Sequence, residues 1–419
     1  MRQALSFIFC CFFYLGFAQS YPYKETIATL CSPAYAGRGY VEGGRVLAAN
    51  LIAAEFQKIG LQPFKHKYHQ NFTLPVQTFP GACLFAVGLD TLKPGIDYLV
   101  HPGSAGVARP SSYQLVYCNA STLYRSVNAF KPCPTDRMLV VQTSGFGGDT
   151  NKVLQARLQE LQQFAATVEL TSSKLTWSVS QQVKPYPTFQ VVLTALASKP
   201  QSAFIHLESA FIPNFISSNV IGYLPATQKA KKKPYLVITA HYDHLGKMGK
   251  DTYFPGANDN ASGVGMLLYM AQQLSLKRDP NFNYVFIAFG AEEAGLVGSH
   301  YFVEHPLFDL KQIRFLLNTD IMGSGEEGIT VVNATLFKTE FDRLQELNTE
   351  STYLPQIKSR GPAANSDHYF FTEKGVPAFF VYTMGPNKHY HDIADNAEEL
   401  SYAAFEPLAK LLLSFMRSF

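Results

Sequence analysis

The sequence predicts an α/β protein, a three-layer sandwich whose mainly parallel, mixed central sheet is flanked by helices, with a smaller mixed α/β insert. Three observations carry that expectation. Beyond about residue 215, short apolar runs alternate with helical stretches, the order that builds a layered α/β fold. Each run is nearly continuous instead of alternating in polarity, as strands covered on both faces require. From about residue 75 to 205 that rhythm breaks, and frequent Pro and Gly separate short β-branched runs.

In chain order, the first feature is a leader. Arg2 precedes an apolar stretch from Leu5 to Phe17, and Gly16 and Ala18 are the small residues of a cleavage site after Ala18. Residues 1–18 are expected to be a signal peptide, which implies a secreted or periplasmic product. The stretch is shorter than the roughly 20 residues that span a bilayer, so no stable membrane anchor is expected. Helical periodicity then runs from Arg45 to Ile59 through Leu47, Leu51, Ile52 and Phe56, and Gly60 stands where a C-cap belongs. Inside the 75–205 insert, Met138 to Val141 and Phe189 to Val192 read as strands and Val153 to Phe164 as a helix. After it, strands are expected at Tyr235 to Ala240, Tyr284 to Phe289, Phe315 to Asn318 and Pro377 to Tyr382, a helix from near Ala261, and a last helix over Ala397 to Phe415. The division expected is therefore residues 1–18, 19–74, 75–205 and 206–419, one domain interrupted by another.

Composition narrows the function. The 419 residues carry 35 basic and 32 acidic side chains, a net charge of +3, so no field exists for a polyanion, and nucleic acid is not an expected partner. The one basic run, Lys231 to Lys233, reads as a solvated loop. Outside the leader, Cys31, Cys83, Cys118 and Cys133 show no metal-ligand spacing and are expected to be structural or inert.

Chemistry collects behind the strands. The first is followed by His241-Tyr242-Asp243-His244 and then by Gly256 to Gly263 around Asp259; the second by Glu292-Glu293; the third by Asp320; the fourth by Tyr390-His391. Ligands of open α/β folds bind at that edge of the sheet. Singly, each group has an ordinary explanation, such as a surface turn, a helix cap or a solvated face. Together they bring His and Asp/Glu donors of the kind zinc prefers, without the cysteines of a closed structural site. Gly256 and Gly263 are read as serving tight turns around Asp259.

The order H-x-D, D-x-x-S-G, E-E-x-G-L-x-G-S, N-x-D, S-D-H and Y-H-x-x-x-D resembles the secreted dizinc aminopeptidases of clan MH, relatives of bacterial leucyl aminopeptidase, glutamate carboxypeptidase, glutaminyl cyclase and the transferrin receptor ectodomain. Here those motifs are His241 to Asp243, Asp259 to Gly263, Glu292 to Ser299, Asn318 to Asp320, Ser366 to His368 and Tyr390 to Asp395. The resemblance implies two zinc ions per chain, one on His241 and Asp320, the other on Glu293 and His391, with Asp259 shared. A shared carboxylate suits two dications about 3.5–4 Å apart, whose repulsion it offsets. It implies Glu292 as general base, Asp243 as the carboxylate that orients His241, and Tyr390 as donor to the developing oxyanion; a packing role for Tyr390 stays equally open. The substrates implied are peptides with a free N-terminus, and a monomer is expected. The insert loosely resembles a protease-associated domain, either a lid over the cleft or a passive insertion. A single-zinc glutaminyl cyclase, a carboxypeptidase or dipeptidase on the same scaffold, and a non-catalytic binding ectodomain remain alternatives.

Overall fold

The computed structural model describes residues 21–228 and 233–419. The expected leader, residues 1–18, and Lys231 and Lys232 of the basic run lie outside the described residues.

Among the described residues the principal sheet has nine strands, seven of which matter below: β1 (His69–Thr78), β2 (Ala210–Leu224), β3 (Tyr235–His241), β4 (Asn283–Phe289), β5 (Ile313–Thr319), β6 (Gly328–Val332) and β7 (Ala378–Met384). Their spatial order is β2-β4-β3-β5-β7-β6, with β1 also paired to β2. The central pairs β3/β4, β3/β5 and β5/β7 are parallel, whereas β2/β4, β6/β7 and β1/β2 are antiparallel. A parallel centre with antiparallel edges accounts for the apolar runs, because both faces of the centre are covered. Leu236, Ile238, Phe286, Phe315 and Leu317 enter one core with helices α1 (Tyr23–Cys31), α2 (Gly44–Ile59), α3 (Ser262–Leu276) and α5 (Phe405–Met416). Val237, Val285, Ile287, Phe289 and Leu316 enter the other, with Phe302 and Val303 of α4 (Val297–Glu304). Helix α3, the β3-to-β4 crossover, is apolar nearly all round because it lies within the first core.

Helix α2 ends as the sequence predicts. Gly60 adopts φ 91°, and the amides of Gly60 and Leu61 donate to Gln57 and Phe56, a Schellman closure. Leu47, expected on its buried face, instead points outward at 46% exposure; Ala48, Ile52 and Phe56 form the packed stripe. The terminal helix is also shorter than the expected Ala397 to Phe415. A single turn at Ala397–Glu399 is followed by a break, and α5 starts only at Phe405. Tyr402 takes φ 54° there and donates its amide to Gly323 O, so the chain leaves helical geometry to close over the loop after Asp320.

Among the described residues, a second, eight-stranded sheet is built from strands between Cys83–Val87 and Ser202–Leu207, with a short helix over Ala120–Arg125 and a longer helix over Gly148–Leu161. The longer helix begins a turn before the expected Val153 and stops before Phe164. Residues 75–78, expected in the insert, belong to β1 and pair with the start of β2. The insert's core includes Leu245, Met248 and Phe254 of the principal domain, so the two bodies share an apolar contact. The four described cysteines are free thiols.

Candidate metal centre

The parallel strands deliver the site. His241 is the last residue of β3; Glu292 and Glu293 lie just past β4, and Asp320 just past β5. Asp259 comes from the turn that opens α3, and His391 from the loop after β7. Left-handed residues aim several of them: Ala291 (φ 60°) precedes the two glutamates, Ile321 (φ 57°) follows Asp320, and His391 itself has φ 55°. The Asp259–Asn260 peptide is cis.

Asp259 stands between the two imidazoles. Its Oδ1 lies 3.3 Å from His241 Nε2 and its Oδ2 lies 3.1 Å from His391 Nε2. Asp320 Oδ1 is 3.4 Å from His241 Nε2, and Glu293 Oε2 is 3.1 Å from His391 Nε2. Glu292 offers an oxygen to the same cluster, within 4.8 Å of the His241 and Asp320 donors. All six side chains are mostly or fully shielded from solvent, and five of them, His241, Asp259, Glu292, Asp320 and His391, line a cavity of about 280 Å³ together with Tyr390.

The donor set fits metal. His391 Nε2 and Asp320 Oδ1 are buried and close to their neighbours, yet neither makes a hydrogen bond. Donors that converge without bonding one another point to a common guest. Charge argues the same way. Burial alone would raise Asp259, but the adjacent His241 and His391 imidazoles hold it well below the usual carboxylate range. Burial would likewise raise Glu293, which His391 and His244 bring down to about 2. Burial would lower His391, which Glu293 and Asp259 push up to about 11. The protein alone therefore keeps protons on its imidazoles to balance crowded carboxylates, the balance a dication would supply. Glu292 differs: burial, reinforced by Asp367, Glu293 and Asp320 against His241, holds it well above the ordinary range.

A surrounding layer of groups fixes these side chains. Asn318 accepts from Thr239 at 2.7 Å and donates to Ser366 at 2.8 Å, and Ser366 donates to Asp320 Oδ2 at 3.3 Å. This chain gives the N-x-D and S-D-H motifs their physical content. The orientation expected of Asp243 is corrected. His241 Nδ1 is held at 3.1 Å by the Asp243 backbone carbonyl, while the nearer Asp243 carboxylate oxygen is 4.0 Å away. That carboxylate instead accepts the amides of Glu292 (3.0 Å) and Glu293 (3.3 Å) and the Tyr40 hydroxyl (3.1 Å). It aims the two glutamates, because a carboxylate on consecutive amides fixes their turn. Tyr390 is half-exposed at the rim, its ring stacked on His391 at 3.8 Å between centroids. Gly256 takes φ 61°, and a Cβ there would meet the His244 ring at 2.4 Å; at Gly263 a Cβ would fall 2.1 Å from Asn260 Oδ1.

Several contributors were given no role by the motif reading, although Asp367 and Asp395 belong to the motifs themselves. His244 donates to Glu293 Oε1 at 2.7 Å, and its adjacency to the H-x-D motif is the one signal that could have marked it. Asp395 accepts the amides of Asn258 and Asp259, and burial pushes its carboxyl up to about 7. Asp367, wholly buried beside Glu292, is raised to about 7 by burial, with Asp243 and Asp320 adding to the effect. Arg38, fully buried with φ 51°, donates to the carbonyls of Leu30, Tyr242, Pro255 and Gly256 and so ties an N-terminal turn to the loops behind His241 and Asp259. No sequence spacing announces Arg38, whose partners are up to 218 residues away.

Comparison with known proteins gives this arrangement its relatives. Residues 219–416 match peptidase family M28. Aminopeptidase YwaD of Bacillus subtilis is 32% identical over 201 residues, 45% of this chain and 41% of its own length. Leucine aminopeptidase 1 of Arthroderma gypseum is 27% identical over 247 residues, 54% of this chain and 64% of its own. The chain thus spans less than two thirds of these curated relatives. Among solved structures, a zinc aminopeptidase from Bacillus subtilis superposes with a TM-score of 0.71 at 21% identity, covering 94% of this chain and 93% of that one. A peptidase M28 precursor from Shewanella amazonensis gives 0.67 at 15%, covering 94% and 95%. The shared fold therefore extends over the insert as well as the principal sheet.

Proposed function

We propose that this chain is an exported aminopeptidase that holds two zinc ions and hydrolyses the first peptide bond of substrates with a free N-terminus. The observation that carries the reading is the Asp259 carboxylate, with one oxygen toward His241 and the other toward His391. His241 and Asp320 would hold one ion, Glu293 and His391 the other, and Asp259 both. When bound, the ions lower the pKa of a water and polarise the scissile carbonyl. Glu292 is the general base. It lies beside the ligands, and its high proton affinity suits a group that takes the proton from the attacking water and returns it to the leaving amine. The Asp243 carboxylate keeps Glu292 and Glu293 in their divided tasks by holding both amides. Tyr390, at the cavity rim, donates to the carbonyl oxygen as charge builds on it. Export rests on the pattern of residues 1–18; among the described residues no helix is long and apolar enough to cross a membrane. The chain is expected to act as a monomer.

The test is zinc content together with hydrolysis of an aminoacyl-nitroanilide panel. Two zinc ions per chain and release of nitroaniline support the reading. Two ions without hydrolysis of any aminoacyl or peptide substrate would sink it, and one ion with cyclisation of Gln-peptides would select the cyclase instead.

A further inference from the structure

We infer that the insert is part of the second metal position, and that Lys174 is the positioning residue through which it acts. This rests on the metal reading above. Glu293 and His391 sit on loops, and one strap of the insert, residues 174–181, is tied to both. Trp177 faces His391 backbone to backbone and backbone to ring: its amide donates to His391 O at 3.1 Å, and its carbonyl accepts from His391 Nδ1 at 2.7 Å. The second bond leaves Nε2 as the free donor atom of that ring, directed at Asp259 and Glu293. The Lys174 ammonium donates to the carbonyls of Lys388 (2.5 Å) and Tyr390 (2.9 Å) and pairs with Asp392 at 2.6 Å, three acceptors within five residues centred on Tyr390. At the strap's other end, Gln181 Nε2 donates to Ala294 O at 2.6 Å, on the turn after Glu293.

The strap is itself anchored. Trp177 is 5% exposed; its indole donates to Val100 O at 2.8 Å and stacks on Phe254 at 4.7 Å. The Ser180 carbonyl accepts the Gln77 amide at 2.9 Å. Among the described residues, nothing comparable reaches the other position, where His241 and Asp320 are held by Asp243 and Ser366 of the principal domain. Because His391 occupies a left-handed conformation that a non-glycine residue adopts at a cost, its loop needs outside support to stay in place. The insert supplies that support to one ion position only.

The experiment is zinc titration of the full-length, metal-free chain against a competing chelator, with cobalt substitution as a spectroscopic readout. Lys174→Met keeps the aliphatic stem and removes the donor. It should weaken one of the two binding steps about 10–100-fold, the range for losing an outer hydrogen-bond partner, and leave the other within about twofold. Lys174→Arg should restore the weakened step to within about tenfold of wild type. Asp392→Asn, which removes the ion pair from the opposite side, should weaken the same step and guards against a Lys174→Met chain that fails to fold. The inference is overturned if both steps weaken together, if neither changes, or if Arg does no better than Met. A wild-type chain that takes up no zinc would overturn the metal reading itself, whereas two clean steps that ignore all three substitutions would overturn only the role of the insert.

Discussion

The two halves of the donor cluster are built differently. His241 and Asp320 stand at the ends of neighbouring parallel strands, β3 and β5, which are hydrogen-bonded over most of their length. Their positions are consequences of the sheet. Glu293 and His391 stand on turns whose conformations the sheet does not set, and both turns are tied to the insert. Asp259 joins the halves, with its own amide held by Asp395. A rigid half and a braced half around one shared carboxylate place fixed and adjustable donors in the same cavity.

Substitutions can break that comparison or sharpen it. The largest effect should come from Glu292→Gln, which alters none of the five proposed ligands: turnover is expected to fall about 10²–10⁴-fold with two zinc ions retained, measured by steady-state kinetics and metal analysis. Near-normal turnover would show that the base is elsewhere. Next, His391→Ala should cost one zinc ion and lower the metal-free chain's melting temperature only modestly, since its loop can relax around the carboxylates it leaves unbalanced. His241→Ala should lower melting further as well as reducing metal uptake, because it strands Asp320 at a buried strand end and Asp259 on the buried turn beside it, where the sheet leaves no room to relax. Equal melting of the two variants would erase the rigid-versus-braced distinction. Asp395→Asn keeps shape but weakens the anchor of the shared ligand, and should loosen both ions by about 10–100-fold. The mildest test is pH. With His391 raised to about 11 and His241 also raised, the metal-free rings are protonated at neutral pH, so uptake of zinc must release protons. Apparent affinity should therefore climb with pH, by about tenfold per unit for each proton released, readable as buffer-dependent heat in calorimetry. A pH-independent affinity between 6 and 8 would contradict the proton balance described above.

Much of the rigid half was legible in the sequence, because continuous apolar runs announce parallel strands and polar residues at their ends follow from the fold. His241 and Asp320 could be placed by that logic alone. The same logic set E-E and Y-H of the braced half behind their strands, but did not show what holds them. Trp177 and Lys174 act through backbone carbonyls more than 200 residues away, and a carbonyl leaves no trace in residue type. Asp243 shows a subtler limit. Its spacing from His241 marks a partner, yet spacing does not say whether carbonyl or carboxylate meets the ring, and here it is the carbonyl. The last helix was misjudged for a related reason: Leu400 is apolar because it covers the Gly323 loop, not because it lies on a helix.

Arg38 also has a meaning for the order in which the molecule is made. Its guanidinium is synthesised early, while two of its four acceptors, Pro255 and Gly256, follow 217 and 218 residues later. At about 5–20 residues per second, that separation is a wait of roughly 10–40 s on the ribosome. During it the insert, whose strands all lie between the two partners, can emerge complete. Until then the guanidinium that will end wholly enclosed has only the Leu30 carbonyl among its four acceptors. Enclosure of Arg38 is therefore timed by the arrival of residues 242–256, whereas the donor cluster closes only after His391 has followed; slowing translation just beyond residue 256 should favour correct folding over aggregation of the exposed early helices.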